Sequence, residues 1–244
     1  MFQRLIKNDL KENKISMLVI GLFLLLTLTL SFAATRLTVS LSNSIERFVE
    51  TAKSPHLLQM HSGSIDRERL KNFVHQHPEI ASWQLTDFVN VEGSAIRING
   101  QDSLQDSSQD NGFSSQNQNF DFLLDQNNQP AQPRPGQVYI PLYYYNSGKI
   151  KIGDQIRVGK LQLTVKGFIR DAQMNAGLVS SKRFLISQAD LQTLKKEPFA
   201  SNENLIAFRV HKLSQISTIE QAYKNAELES NGPPMITYPT IKMI

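Results

Sequence analysis

The chain has 244 residues, 40% of them hydrophobic, enough for one large or two small folded domains with ordinary cores, so it is not disordered as a whole. Its formal charge of +4 is mildly basic, but Lys and Arg are scattered among 22 acidic residues, which reads as a solvated surface and not as a nucleic-acid interface. The absence of cysteine removes disulfide frameworks, thiolate catalysis and Cys-ligated metal together.

At the start, Phe2, Leu5, Ile6 and Leu10 recur at helical spacing among Arg4, Lys7, Lys11 and Lys14. Residues 1–14 therefore read as an amphipathic leader on the inner membrane surface, the alternative being an unstructured basic leader. From Ile15 to Ala34 the sequence ISMLVIGLFLLLTLTLSFAA has no charged residue. A helix of about 20 residues rises about 30 Å, the thickness of the hydrocarbon core. Ile15, Leu18, Leu22, Leu25, Leu28 and Ala34 mark this span. Its hydroxyls, on Ser16, Thr27, Thr29 and Ser31, can bond back to the helix backbone. The basic leader predicts a cytoplasmic N-terminus and an extracytoplasmic bulk.

The rival reading is a cleavable signal peptide, since the basic start, the apolar stretch and the small residues Ala33 and Ala34 fit its outline. Two features oppose it. The apolar stretch exceeds the usual h-region of about 7 to 15 residues, and the following residues continue a helical pattern. Leu37, Leu41, Ile45 and Phe48, with Val49 and Ala52, line one face of a predicted stalk over 35–54. These are the candidates for packing that transmits motion along a stalk, and ordinary core packing explains them equally well.

The remainder, 55–236, is predicted as one extracytoplasmic domain. His56–Gly63 has strand character, and Ser64 is placed to cap a helix running to about Gln76. Ser82–Val91 and Ala95–Ile98 read as strands, the second ending in the turn signal Asn99-Gly100. Residues 101–119 shift to Ser, Gln, Asn and Asp, interrupted only by Leu104 and Phe113, and are predicted as a mobile surface insertion. Asn119–Asp125 reads as a docking strand and Gln126–Gly136, with three prolines, as a loop. Val138–Asp171 alternates around turn signals as in a small antiparallel sheet or barrel, with Tyr143, Tyr144 and Tyr145 ending a strand and packing on a sheet face or edge, the alternative being a ligand-binding strip. Phe184–Leu194 is predicted as a loop and then a helix begun near Ser187 or Asp190. Leu205–Val210 is a strand, and Ser214 or Ser217 could cap a helix to about Ala226. The fold class is α+β: one N-terminal transmembrane helix with a helical stalk, then a mixed domain containing a β-rich antiparallel module.

Signals for chemistry are weak. GKIKIGDQ mimics P-loop glycine spacing, but Asp154 stands where the phosphate-binding lysine is required. Gln109-Asp110-Asn111-Gly112 mimics a calcium loop, yet Ser107, Gln109 and Gln118 occupy ligand positions. His75 and His77 are two apart, which puts them on different helix faces; His56, His61 and His211 fall in no metal-ligand or catalytic spacing. No HExxH, GxSxG or GxGxxG sequence occurs. No catalytic, cofactor or metal residue is nominated, and enzyme activity is not expected.

The arrangement of basic start, single helix, helical stalk and long outer domain resembles an FtsX/MacB-type ABC-transporter permease of the Gram-positive kind. Its most specific part is VYIPLYYYNSGKIKIGDQIRV with TVKGFIRDAQMNAGLVSSKRFLIS, between Val138 and Ser187. The resemblance implies four transmembrane helices with the large domain between the first and second. It also implies a homo- or heterodimer of permease protomers and a separate ABC ATPase that binds ATP, so that the chain itself needs no cofactor. The sequence departs from the pattern at TYPTIKMI (237–244), where such a chain would return toward the membrane, and a truncated permease is the expectation. The expected role is a cell-membrane permease subunit whose outer domain couples the ATPase to export or sensing of a peptide or lipid-like substrate. The alternative is a single-pass or secreted extracellular binding module unrelated to transport; third comes an extracellular hydrolase.

Overall fold

The structure, a computed structural model, describes residues 14–100, 102–174 and 180–238. The chain divides into two compact units, Met1–Arg47 and Phe48–Ile244.

The first unit is a helix, α1 (Lys14–Thr51), whose final residues from Phe48 onward belong to the second. At 1.5 Å per residue α1 is about 57 Å long. It runs unbroken past Ala34, as the stalk reading requires, and every residue from Lys14 to Arg47 is exposed. Its apolar part shows no polar face, is long and apolar enough to cross a membrane, and suits lipid better than water. Threonine hydroxyls bond within the helix: Thr27 donates to the Leu24 carbonyl and Thr29 to that of Leu26, each at 2.9 Å. Thr35 and Thr38 do the same one turn back. The predicted leader, apart from Lys14, lies outside the described residues.

The second unit runs β1 (Leu57–Ser62), α2 (Arg67–Gln76), β2 (Ile80–Val91), β3 (Ile96–Ile98), β4 (Asp102–Ser103), β5 (Asp110–Ser114), β6 (Gln137–Pro141), α3 (Leu142–Asn146), β7 (Gln155–Val158), β8 (Leu161–Ile169), β9 (Ser181–Ile186), α4 (Gln188–Leu194), β10 (Ser201–Val210), α5 (Ile216–Asn225) and β11 (Ile236–Thr237). The described strands form one sheet in the order β11, β1, β10, β2, β5, β9, β6, β8, β7, β3, β4. Strand alternation explains why the first part of this sheet is covered on both faces. Leu57, Ile206 and Phe208 point to a core with Leu70 and Phe73 of α2 and Ile219 and Tyr223 of α5. Their neighbours Leu58, Leu205 and Ala207 point the other way, against Phe88, Phe120 and Met174. A larger core fills the other end, around Phe113, Val138, Tyr144, Leu163 and Phe184.

Several expectations need correction. Within the expected insertion, Asp110–Ser114 is not a mobile loop: as β5 it lies within the sheet, antiparallel to β2 and parallel to β9, with Phe113 fully buried. Its polar residues are tolerated because they find partners; buried Asn111 accepts a 2.6 Å hydrogen bond from the Tyr144 hydroxyl. Gly112 is required there, since a Cβ would come within 1.7 Å of the Phe88 ring. The domain is mixed α+β with a mostly antiparallel sheet, as expected; within the β-rich module β7 is antiparallel to β8 while β6 runs parallel to it. The three tyrosines do not end a strand but form α3; Tyr144 enters the core and Tyr145 stacks on Phe168 with ring centroids 4.5 Å apart. Asn119–Asp125 contains only a single bridging residue, Leu124.

The caps differ too. Asp66, not Ser64, caps α2, its carboxylate accepting from the Glu68 and Arg69 amides. Ser187 caps α4 as expected, but Phe184–Ile186 belongs to β9 instead of a loop. Neither Ser214 nor Ser217 caps α5, which follows a short 3-10 turn over Leu213–Gln215 in which the Gln215 side chain accepts from the Lys212 amide.

Candidate functional site: the apolar helix and the socket of its last turn

The residues that mark the expected span, Ile15, Leu18, Leu22, Leu25, Leu28 and Ala34, are all exposed along α1. Of the four predicted stalk-packing residues, Leu37, Leu41 and Ile45 are exposed as well, Leu37 to 71%. Only Phe48 is half-buried, and the side chains that enter the core are its neighbours Val49 and Ala52. An apolar stripe at helical period does not say where along it the folded domain begins.

The last turn closes by a Schellman arrangement. The Ser54 amide donates to the Val49 carbonyl at 3.1 Å and the Lys53 amide to that of Glu50 at 3.0 Å. Lys53 takes the left-handed conformation, φ 47°, where a glycine is usual. The carbonyls left over do not face solvent. The Phe122 amide donates to the Ala52 carbonyl at 2.7 Å, and the Asp121 amide to the Lys53 carbonyl at 3.0 Å. Around them, the Arg170 guanidinium lies over the Phe48 ring and the Lys53 ammonium over that of Phe122, each 5.4 Å from the centroid.

Behind this backbone contact is a buried ionic cluster that no sequence signal marked. Arg183 of β9 holds Asp171 in a fork, Nε to Oδ2 at 2.7 Å and a terminal nitrogen to Oδ1 at 2.9 Å. Its other terminal nitrogen reaches Asp121 Oδ2 at 2.9 Å. Asp121 also accepts from Asn117 and Gln173. Burial pushes the Asp121 carboxyl up, and the Arg183 charge only partly offsets this. Burial works the same way on Asp171, but there the charge and bonds of Arg183, with backbone amides, win and hold the carboxyl low. A lone Arg, Asp or Gln in a sequence reads as surface, so the cluster is a product of tertiary contact.

Residues 237–238 pair with the start of β1. The Tyr238 amide donates to the His56 carbonyl at 2.8 Å, and Thr237 pairs with Leu57. His56 is itself buried, its Nδ1 accepting from the Val210 amide at 3.0 Å. The would-be P-loop is a turn in which Asp154 accepts from the Lys151 amide, and the would-be calcium loop is the start of β5. Among the described residues no group of three or more His, Cys, Asp or Glu is placed to hold a metal. A groove of about 450 Å³ lies between the end of α5 and residues 230–235, floored by Tyr223, Leu228, Pro233 and Met235.

No protein-family model matches the chain, and no curated protein matches it. Among solved structures it is similar to the periplasmic region of MacB from Actinobacillus actinomycetemcomitans, at 10% identity and a TM-score of 0.40, over 82% of this chain and 96% of that one. It is also similar to the extracellular domain of the noncanonic ABC-type transporter YknZ from Gram-positive bacteria, at 13% identity and a TM-score of 0.37, over 74% of this chain and 98% of that one.

Proposed function

We propose that the chain is the anchoring helix and outer domain of an ABC-transporter permease, non-enzymatic and without a cofactor of its own. In this reading the N-terminus is cytoplasmic, a second permease protomer and a separate ATPase are the partners, and the outer domain couples ATP hydrolysis to export or sensing of a peptide or lipid-like substrate. The observation that carries it is the helix end. A helix without charge from Ile15 to Thr35 continues without a break into a turn whose carbonyls are bonded into the outer domain, and residues 236–238 pair with the start of β1 beside that turn. A cleaved leader has no use for such a joint. The resemblance of Val138–Ser187 to permease sequence adds the transporter assignment.

The test uses the fact that the chain has no cysteine. Single replacements Lys14→Cys and Lys149→Cys are made in the intact chain expressed in cells. The reading expects Lys149→Cys to react with a membrane-impermeant maleimide from outside, Lys14→Cys to react only after lysis, both to stay in carbonate-washed membranes, and an ATPase to co-purify in mild detergent. Release of a product beginning near Thr35 would sink the anchor. Retention and correct labelling without any ATPase would favour the single-pass binding module, for which the groove beside Tyr223 is the available site.

A further inference from the structure

Asp121 faces two ways. Its main-chain amide holds the Lys53 carbonyl, and its carboxylate holds Arg183, Gln173 and Asn117. Its own backbone is left-handed, φ 57°, a conformation uncommon outside glycine but one that Asp adopts more readily than most residues. The next link is similar. Arg170 and Asp171 are consecutive, the first lying over Phe48 and the second bound to Arg183. The end of α1 is thus tied by two short routes to one residue, Arg183, in the strand that joins β5 to β6 at the middle of the sheet.

The held arrangement is incompletely satisfied. Ser54 Oγ, Arg170 Nε and Gln173 Oε1 are buried without a hydrogen-bond partner, and all three belong to this joint. The cluster also sets one guanidinium against two carboxylates, so Arg183 by itself does not balance both when they are ionised, although the Lys182 charge acts on Asp171. Opening the Asp121 side would let water reach the unsatisfied atoms while the forked Arg183 and Asp171 pair stayed whole.

We propose that Asp121 and Arg183 form a releasable lock that decides whether the end of α1 is held to the centre of the sheet or set free. Asp121 is a positioning residue in this lock, acting through residues 121–122 on Ala52 and Lys53. The lock is independent of the transport reading, because it concerns only contacts within the outer domain.

Amide hydrogen exchange on the intact chain in detergent or nanodiscs tests it. Asp121→Ala should speed exchange at Ser54, Asp121 and Phe122 by about ten-fold or more, while Ile206, Phe208 and the α5 amides keep their rates. Asp121→Asn, which keeps one acceptor oxygen for Arg183 and Asn117 but turns its amide nitrogen toward Gln173, should restore part of the protection. Gln173→Ala removes one bond and leaves both carboxylates, and should give a smaller effect at the same amides; it also serves if Asp121→Ala does not fold. Unchanged rates at Ser54 and Phe122 in either alanine variant, or equal acceleration in β10 and α5, would overturn the proposal.

Discussion

Two stretches of similar length behave oppositely. From Ile15 to Ala34 every side chain is exposed and composition alone says what the segment does. From Gln101 to Asn119 composition says loop, yet Asp110–Ser114 lies inside the sheet with four of its five residues buried. The difference is in how each satisfies its backbone and its polar groups. A helix in lipid must satisfy them within itself, and the sequence of one segment is then sufficient. A strand satisfies them through neighbours, and β5 depends on β2, β9, Tyr144 and Phe88, none of them adjacent in sequence.

That comparison can be broken most severely at Phe113, fully buried and stacked on Phe184 with centroids 4.8 Å apart. Phe113→Ala should cost about 3 to 5 kcal/mol in chemical denaturation of the chain in detergent. A cost under about 1 kcal/mol would mean that β5 is the loop its composition suggests. On the helix side, Leu25→Arg should raise the insertion free energy by about 3 kcal/mol, read as loss from carbonate-washed membranes. Leu37→Arg, beyond the predicted span, should leave membrane retention unchanged.

Asn111→Ala sharpens the polar half of the contrast. It leaves the Tyr144 hydroxyl, whose pKa burial pushes up to about 12, without its 2.6 Å acceptor, and should destabilise by about 1 to 3 kcal/mol in the same denaturation. Replacing exposed Leu37 or Leu41 by Ala should change domain stability by less than about 0.5 kcal/mol, so a larger loss would point to a partner covering that stripe.

A separate effect concerns pH. Burial, with Arg209 adding its charge, lowers the His56 pKa from 6.5 to about 4. Between those values the unfolded chain binds a proton that the folded chain refuses, so stability is lost as pH falls from 6.5 toward 4. His56→Asn, which keeps an acceptor for the Val210 amide, should flatten this part of the thermal stability profile.

Legibility followed the range of the interactions. Strands β2 and β10 were readable because their alternation faces two apolar cores, and Asn99-Gly100 was readable because both residues need positive φ, here 50° and 78°. The tyrosines were misread because aromatic residues suit strands in general, while here Tyr144 is drawn into the core by Asn111 and Phe184. The socket was invisible for a related reason. Asp121, Asp171 and Arg183 are individually ordinary surface residues, and their burial appears only when residues far apart in the chain meet.

By itself the sequence determined the long uncharged helix, its continuation beyond the span, and most strands whose residues alternate, because these rest on the period of the backbone and on apolar transfer. Only the tertiary structure decided that a polar stretch becomes an inner strand and that the helix ends in a buried ionic joint. Both depend on polar groups finding partners across the fold, and no local pattern encodes who those partners are.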